Sequence, residues 1–276
     1  MTRIVGVLNV TPDSFSDGGE WVQPQRAVEH GLGLVEQGAD IVDVGGESTR
    51  PGASRISARE EARRVLPVVR GLAAQGVRVS VDTMKADIAR ECLEAGAAVV
   101  NDVSGGLADP GMPALMATAG VPYVVMHWRG HSDTMDERAT YDDVVAEVVG
   151  ALRARVAALV ADGVPAAQLV LDPGFGFAKD AGHNWRLLAH LDAVTALGHP
   201  VLVGTSRKRF LGRLPARPGA AVDEAAEPRP PADRDLATAA TSLLAAQAGA
   251  WAVRVHDVAA TRDALAVWEM VQRART

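Results

Sequence analysis

Acidic and amide side chains follow short apolar runs at many points along this chain. Six such runs end at Asn9, Asp43, Asp82, Asn101-Asp102, Asp172 and His256-Asp257. Parallel strands that are buried on both faces consist of nearly continuous Val, Ile and Leu. If these runs are parallel strands of one closed barrel, their polar ends meet on one rim, where (β/α)8 enzymes carry out their chemistry. The pattern therefore predicts an enzymatic rim of carboxylate, amide and imidazole groups.

Strand-type and helix-type patterns alternate along the whole chain and can be counted. The predicted strands cover about residues 4–9, 41–44, 77–82, 98–102, 122–126, 169–171, 200–203 and 251–255. The predicted helices cover about residues 24–37, 57 onward, 85–95, 112–119, 141–162, 183–191, 235–248 and 259–273. Ser57-Ala-Arg-Glu60 fits a capping box at the start of the second helix. Eight strands and eight helical regions predict an α/β chain with one domain, a (β/α)8 TIM barrel.

An open, doubly wound parallel sheet is the alternative fold for alternating strands and helices. Such a sheet normally has a glycine-rich phosphate loop after its first strand. Residues 9–19 contain no G-x-G-x-x-G, which favours the barrel. Residues 213–234 break the alternation, since they are rich in Ala, Pro, Arg and Glu and have no apolar period. We predict one domain over residues 1–276 with a flexible surface insertion at about 213–234.

Composition argues against several classes of protein. The net charge is −6 and the basic residues are scattered, so we expect no nucleic-acid partner. No apolar stretch reaches membrane-spanning length, and the N-terminus enters a strand at once, so we expect neither a membrane span nor a signal peptide. The single cysteine, Cys92, lies in a helical pattern. One cysteine forms no disulfide framework, and a cytoplasmic location is expected.

Longer polar or glycine-bearing motifs follow six of the predicted strands. They are Thr11-Pro-Asp-Ser-Phe-Ser-Asp-Gly-Gly19, Gly45-Gly-Glu-Ser-Thr-Arg-Pro-Gly52, Asn101-Asp-Val-Ser-Gly-Gly106, Asp172-Pro-Gly-Phe-Gly-Phe-Ala-Lys179, Gly204-Thr-Ser-Arg-Lys-Arg209 and Arg254-Val-His-Asp257. Together with Ser80-Val-Asp-Thr83, they resemble in type and order the motifs of the dihydropteroate synthase family, over nearly the whole chain. The resemblance implies a Mg²⁺-dependent enzyme of folate synthesis. Such an enzyme joins 6-hydroxymethyl-7,8-dihydropterin pyrophosphate to p-aminobenzoate, and it releases pyrophosphate and 7,8-dihydropteroate.

A pterin ring presents N–H donors beside a carbonyl, and carboxylates and amides can bind that edge. The resemblance assigns Asp172 to the donor edge, Asn101 to a second hydrogen bond, and Lys208 to the carbonyl and a ring nitrogen. Lys208 is also assigned a catalytic role, together with Asp82. The resemblance also places Phe177 in the pterin site. Asp82 would lie near the reacting side of the ring, where a preorganised carboxylate stabilises the positive charge that develops as pyrophosphate leaves.

The pyrophosphate leaving group needs positive charge and a cation. Arg254 can bind phosphate oxygens bidentately, and His256 can donate a further hydrogen bond. Mg²⁺ in such sites is held by few protein ligands together with phosphates and waters. By resemblance, the protein ligand is Asn9, at the end of the first strand.

The p-aminobenzoate site is expected in the loops after the first two strands. The positions that match the family there are Phe15, Asp17, Thr49, Arg50 and Pro51, with catalytic roles assigned to Asp17 and Arg50. Many relatives have a Ser after the lysine that follows the seventh strand, and it binds the substrate carboxylate. This chain has Arg209 at that position, and we assign Arg209 to the carboxylate. Because the family residues are present at the p-aminobenzoate positions, we expect inhibition by sulfonamides, which mimic that substrate.

Two other functions compete with the synthase. A pterin-binding methyltransferase domain shares the barrel and the pterin-edge residues but has no pyrophosphate to bind, so Arg254 and His256 favour the synthase. A paralogue that binds pterins without making pteroate is the non-catalytic alternative, and the complete first and second loops count against it. The resemblance also implies a homodimer formed through helices near the C-terminus. The Ala-rich stretch 237–250 suits either that interface or the core.

Overall fold

The computed structural model describes residues 1–11, 22–48, 55–131, 138–215, 217, 219–222 and 227–275. Its strands are β1 (Arg3–Asn9), β2 (Ile41–Gly45), β3 (Val79–Asp82), β4 (Val99–Asp102), β5 (Tyr123–Met126), β6 (Leu169–Asp172), β7 (Leu202–Val203) and β8 (Ala252–Val255). Its α-helices are α1 (Val22–Gln37), α2 (Ala58–Ala74), α3 (Ala86–Glu94), α4 (Gly111–Ala119), α5 (Val144–Ala161), α6 (Ala181–Ala189), α7 (Asp192–Thr195), α8 (Asp235–Gln247) and α9 (Val258–Arg273).

The strands are all parallel and form one sheet in the order β6-β5-β4-β3-β2-β1-β8-β7. A parallel bridge between Leu171 and Val201 joins the two ends of that order, and Leu171 N donates to Pro200 O at 2.8 Å. The sheet therefore closes into the predicted (β/α)8 barrel. Ser57 Oγ accepts from Glu60 N at the start of α2, as the sequence predicts.

The barrel interior is layered because side chains on a strand alternate between its two faces. A small apolar cluster takes one residue from each of seven strands: Val5, Ile41, Val99, Val124, Val170, Leu202 and Ala252. Two residues further along the same strands, on the same face, are Val7, Asp43, Asn101, Met126, Asp172, Gly204 and Arg254. The interior face therefore has an apolar layer below and, at the carboxyl-end rim, a layer with four polar side chains: Asp43, Asn101, Asp172 and Arg254.

Two polar residues at strand ends belong to the other face and support loops instead. Asp102 is buried and accepts hydrogen bonds from the Ser104 hydroxyl at 2.6 Å, from Gly106 N at 2.6 Å and from the Tyr123 hydroxyl at 2.8 Å. Asp257 caps α9 by accepting from Ala260 N at 3.0 Å. The strand-end pattern thus contains residues of two kinds, and only those facing the barrel interior reach the rim.

The segment between β7 and α8 returns to the barrel at its C-terminal end. A 3-10 turn (Pro231–Arg234) precedes α8, and Arg234 is buried. Its Nη1 donates to Arg207 O at 2.8 Å, and the Arg207 guanidinium pairs with both carboxylate oxygens of Asp235 at 2.8 Å. These contacts fix the end of the predicted insertion, whose flexibility stays a prediction. In the described part of the chain, no helix is long and apolar enough to cross a bilayer.

Candidate active site

Arg254 links two carboxylates at the centre of the rim. Its Nε donates to Asp43 Oδ2 at 2.6 Å, and its Nη2 donates to Asp82 Oδ2 at 2.8 Å. The Arg254 side chain is 22% exposed, while Asp43 is fully buried and the Asp82 side chain is 10% exposed. The nearby carboxylates raise the pKa of Arg254 despite its burial. One guanidinium therefore pairs with two acids and offsets part of their negative charge.

Burial and the charge of Arg254 have opposing effects on the pKa of the Asp82 carboxyl. Burial raises the pKa of Asp82 to about 7, and the charge of Asp43 raises it as well, while Arg254 opposes both. Asp82 lies beside Asn101 in the register of β3 and β4. A carboxylate held at this depth can stabilise positive charge that develops next to it, because few waters screen the interaction.

The predicted pterin-edge residues come together on the neighbouring strands. Asn101 Nδ2 donates to Asp43 Oδ2 at 3.0 Å. Asp172 is buried and accepts from Gly174 N at 2.7 Å, and burial raises the pKa of its carboxyl. Asp82 and Asp172 are the last residues of β3 and β6, and Asn101 lies one residue before the end of β4. All three are on the interior face, so three strands present hydrogen-bond acceptors at the rim.

Lys208 and Phe177 form a pair at the rim. The Lys208 Nζ lies 3.9 Å from the centroid of the Phe177 ring. Burial lowers the pKa of Lys208 to about 8. A Cβ at Gly176 would approach the Lys208 side chain to 2.7 Å, and Gly176 has a φ of +70°, so any other side chain at this position would be strained. The glycines of the β6 loop thus make room for the lysine.

His256 is oriented by the loop after β7. Ser206 Oγ lies 2.9 Å from His256 Nδ1 and accepts from the His256 backbone N–H at 3.1 Å. A serine hydroxyl that donates to Nδ1 leaves the Nε2 proton of a neutral imidazole for another acceptor. The next residues form a 3-10 turn (Arg209–Arg213), and Arg209 is exposed.

Sequence reasoning gave no role to Lys179 or His127, which support the loop after β6. Lys179 is buried, and its Nζ contacts His127 Nδ1 at 3.1 Å, Gly174 O at 3.0 Å and Phe177 O at 3.2 Å. Burial lowers the pKa of Lys179 to about 7 and that of His127 to about 2, so His127 accepts as a neutral ring. The pair fixes the loop that carries Phe177. The signals in the sequence were a lysine at the end of a glycine-rich loop and a histidine directly after the fifth strand.

The remaining predicted positions are at the edge of the described chain or beyond it. Asn9 ends β1 half-buried, opposite Gly45 of β2, and its side chain makes no hydrogen bond to the residues that the structure describes. Within the same residues, no three His, Cys, Asp or Glu side chains are grouped to hold a metal. Five predicted p-aminobenzoate residues lie outside the described residues: Phe15, Asp17, Thr49, Arg50 and Pro51.

The barrel, with its acidic and cationic rim, matches a known family along most of the chain. Residues 5–256 fit the family model described as "Pterin binding enzyme". The fold and the site therefore define this protein as a pterin-binding enzyme.

Individual relatives identify which pterin-binding enzymes this chain is similar to. A dihydropteroate synthase of Mycobacterium leprae (strain TN) is 57% identical over 266 residues, which span 96% of this chain and 92% of that protein. The structure of Xanthomonas albilineans dihydropteroate synthase with 4-aminobenzoic acid has a TM-score of 0.88 at 47% identity, covering 98% of this chain and 93% of that one. A sulfonamide complex of the Yersinia pestis enzyme has a TM-score of 0.88 at 39% identity, covering 99% and 94%. This chain belongs to the dihydropteroate synthase family.

Proposed function

We propose that this protein joins 6-hydroxymethyl-7,8-dihydropterin pyrophosphate to p-aminobenzoate, forming 7,8-dihydropteroate and pyrophosphate in a Mg²⁺-dependent reaction. The observation that carries the proposal is the Arg254 guanidinium, held between Asp43 and Asp82 on the rim that also presents the pterin-edge acceptors. Relatives named dihydropteroate synthase, similar over nearly their full length, support the same reaction.

Recognition of the pterin uses hydrogen bonds to its polar edge and contact with its faces. The Asp172 carboxylate accepts from the donor edge, and the Asn101 amide adds a second contact. Lys208 donates to the ring carbonyl and ring nitrogen, while Phe177 borders the site beside its ammonium. Buried acceptors of this kind reject analogues that lack the matching donors, because an unpaired buried group costs about 1–3 kcal/mol.

Bond breaking precedes bond making in the proposed reaction. The bond between the methylene carbon and the pyrophosphate oxygen breaks, and its electron pair leaves with pyrophosphate. The positive charge spreads from the methylene into the pterin ring, where Asp82 stabilises it. The p-aminobenzoate nitrogen then attacks the methylene carbon and loses a proton. Arg254 and His256 hold the phosphate oxygens while negative charge grows on them.

The Asn9 amide fits the role of protein ligand to Mg²⁺. It lies at the carboxyl end of β1, and oxygen ligands, few of them from protein, suit Mg²⁺ when phosphates supply the rest. A bound Mg²⁺ would neutralise charge on the pyrophosphate. We place the p-aminobenzoate site in the loops after β1 and β2, with Phe15, Asp17, Thr49, Arg50 and Pro51, and with Arg209 at the substrate carboxylate.

The function is tested by incubating the protein with both substrates and Mg²⁺ and measuring 7,8-dihydropteroate by chromatography. Product that disappears with EDTA and returns with added Mg²⁺ supports the whole proposal. If EDTA does not change product formation, the reaction does not require Mg²⁺, and that part of the proposal is wrong. Pterin binding by calorimetry without product would favour the methyltransferase or the silent paralogue, and no pterin binding would overturn the site.

Sulfonamides are expected to inhibit the enzyme in competition with p-aminobenzoate, because they mimic its aniline ring and its anionic end. The test measures initial rates over a matrix of drug and p-aminobenzoate concentrations. Competitive inhibition that p-aminobenzoate relieves, and the pterin substrate does not, agrees with the proposed pocket. Full turnover at millimolar sulfonamide would contradict it.

We also propose a cytoplasmic homodimer that pairs through α8 and α9. Within the Ala-rich stretch, Ala239 and Ala245 pack inward. Large apolar side chains of the two helices remain exposed instead: Leu236, Leu244, Val267, Met270 and Val271. Val267, Met270 and Val271 have the spacing of one helical face, and a second copy of the chain can cover such a face. Cys92 is a buried free thiol, which agrees with a reducing compartment.

The double variant Leu236→Glu and Met270→Glu is expected to be monomeric. Two carboxylates placed in an apolar interface lose hydration without gaining partners, which opposes association. Light scattering after size exclusion measures the mass. Val160→Glu is the control, because Val160 is an exposed apolar residue on α5, away from the proposed interface. A double variant with the wild-type dimer mass would place the interface elsewhere.

A further inference from the structure

Asp43 is a fully buried carboxylate in the same interior layer as Asn101 and Arg254. It lies on β2 beside Val7 of β1 and Ser80 of β3, and it is 0% exposed. Its Oδ2 accepts from both Arg254 Nε at 2.6 Å and Asn101 Nδ2 at 3.0 Å. One oxygen atom thus orients two side chains that the proposed function places on the substrate, from two different strands.

We propose that Asp43 is a positioning residue for the pterin pyrophosphate, acting through Arg254 and Asn101 without touching the substrate. The inference rests on the proposed function and names a residue that organises the pterin side of the same site. Its consequence is specific to one substrate. The two residues that Asp43 holds are assigned to the pterin and the pyrophosphate, and neither is assigned to p-aminobenzoate.

The need for a second acid follows from the geometry of the guanidinium. Arginine has five N–H donors in a planar fork and prefers to pair with both oxygens of one carboxylate. Arg254 instead gives Nε to Asp43 and Nη2 to Asp82, so its remaining donors stay available for phosphate oxygens. Without Asp43, the guanidinium can turn onto both oxygens of Asp82. That movement withdraws donors from the pyrophosphate and covers the carboxylate that stabilises the reacting carbon.

The other oxygen of Asp43 makes the role testable without disturbing the barrel. Asp43 Oδ1 is buried and has no hydrogen-bond partner among the described residues. It belongs to the lining of a small interior cavity that also includes Ser80 and Val5. In Asp43→Asn, the amide oxygen can keep the place of Oδ2, and the amide nitrogen can take the place of the unpaired oxygen. Asp43→Asn removes the charge and keeps the contacts with Arg254 and Asn101. Asp43→Ala removes the charge and both contacts.

The experiment compares steady-state constants of Asp43→Asn, Asp43→Ala and the wild type. Asp263→Asn is the matched control, because Asp263 is an exposed acid on α9 that pairs with Arg262. We expect Asp43→Ala to raise KM for the pterin pyrophosphate by at least about tenfold, since small misplacements of binding groups have effects of this size. KM for p-aminobenzoate is expected to stay at the wild-type value.

The pH profile separates positioning from a general packing defect. The charged groups that act on the pKa of Asp82 are Arg254 and Asp43, Glu61 of α2, Asp102 of β4, and Lys208 after β7. Only the charge at Asp43 changes in Asp43→Asn. Because that charge raises the pKa of Asp82, its removal is expected to move the acid limb of kcat/KM for the pterin substrate to lower pH. A packing defect alone moves no limb.

Each outcome decides the inference. A pterin-specific rise in KM for Asp43→Ala, with a shifted acid limb for Asp43→Asn, supports it. Wild-type KM in Asp43→Ala, or an equal rise for both substrates, overturns it. If Asp43→Ala does not fold, the pH profile of Asp43→Asn decides alone, and an unmoved limb overturns the inference. Wild-type protein that forms no dihydropteroate would instead overturn the proposed function.

Discussion

Replacing Asp82 with Asn is expected to lower kcat for dihydropteroate formation by about 10²–10³-fold, the effect of removing one preorganised group that stabilises transition-state charge. The amide has nearly the same shape as the carboxyl but no charge to stabilise the cationic pterin. Arg254 keeps its hydrogen bond to Asp43, so the barrel is expected to stay folded. Rapid-quench measurement of a single turnover isolates the chemical step from product release.

The pH dependence of the same pair of proteins gives a second readout. The pKa of Asp82 is about 7, so its carboxylate form grows as the pH rises through that value. The wild-type kcat/KM is therefore expected to fall as the pH drops below about 7. Asp82→Asn lacks that titration and should lose the acid limb along with the rate. Asp263→Asn, an exposed acid on α9, should behave as the wild type. An unchanged single-turnover rate in Asp82→Asn would remove Asp82 from the chemistry.

The period of the strands explains how far the sequence could predict the rim. Side chains on a strand alternate between its two faces, so Asp43, Asn101 and Asp172 lie in one interior layer. Each of them could be placed on the interior face because it comes two residues after an apolar residue of that face. The same alternation separates Asp102, which supports a loop, from Asn101 beside it. The strand-end pattern alone did not make that distinction, because it counted polar residues without assigning them to a face.

Contacts made by the ends of long side chains could not be predicted in the same way. The pairing of Arg254 with two acids depends on which rotamer reaches across the barrel, from β8 to both β2 and β3. Lys179 reaches His127 because the β6 loop folds back over the end of β5. Neither contact has a period or a spacing in the sequence. Both follow from the closed barrel, which brings distant strand ends to one place.

Replacing Arg254 with Met is expected to destabilise the protein by about 3–5 kcal/mol at pH 8, the cost of leaving buried charges without their partner. Met approximates the length of the side chain but leaves Asp43 and Asp82 as neighbouring buried acids. Urea unfolding measures the change. Arg273→Met is the control, because Arg273 pairs with Glu269 on the surface of α9, and such exposed pairs contribute about 0–1 kcal/mol.

The pH dependence of that destabilisation identifies its cause. Burial already raises the pKa of Asp82 to about 7, and without the guanidinium that folded-state pKa rises further above the value in the unfolded chain. A raised folded-state pKa favours folding at low pH, and this contribution is lost as the pH rises through it. The deficit of Arg254→Met relative to the wild type should therefore shrink between pH 8 and pH 5, as Asp82 takes up a proton. A deficit of equal size at both pH values would mean that Arg254 stabilises the barrel by packing, and that the two carboxylates do not depend on its charge.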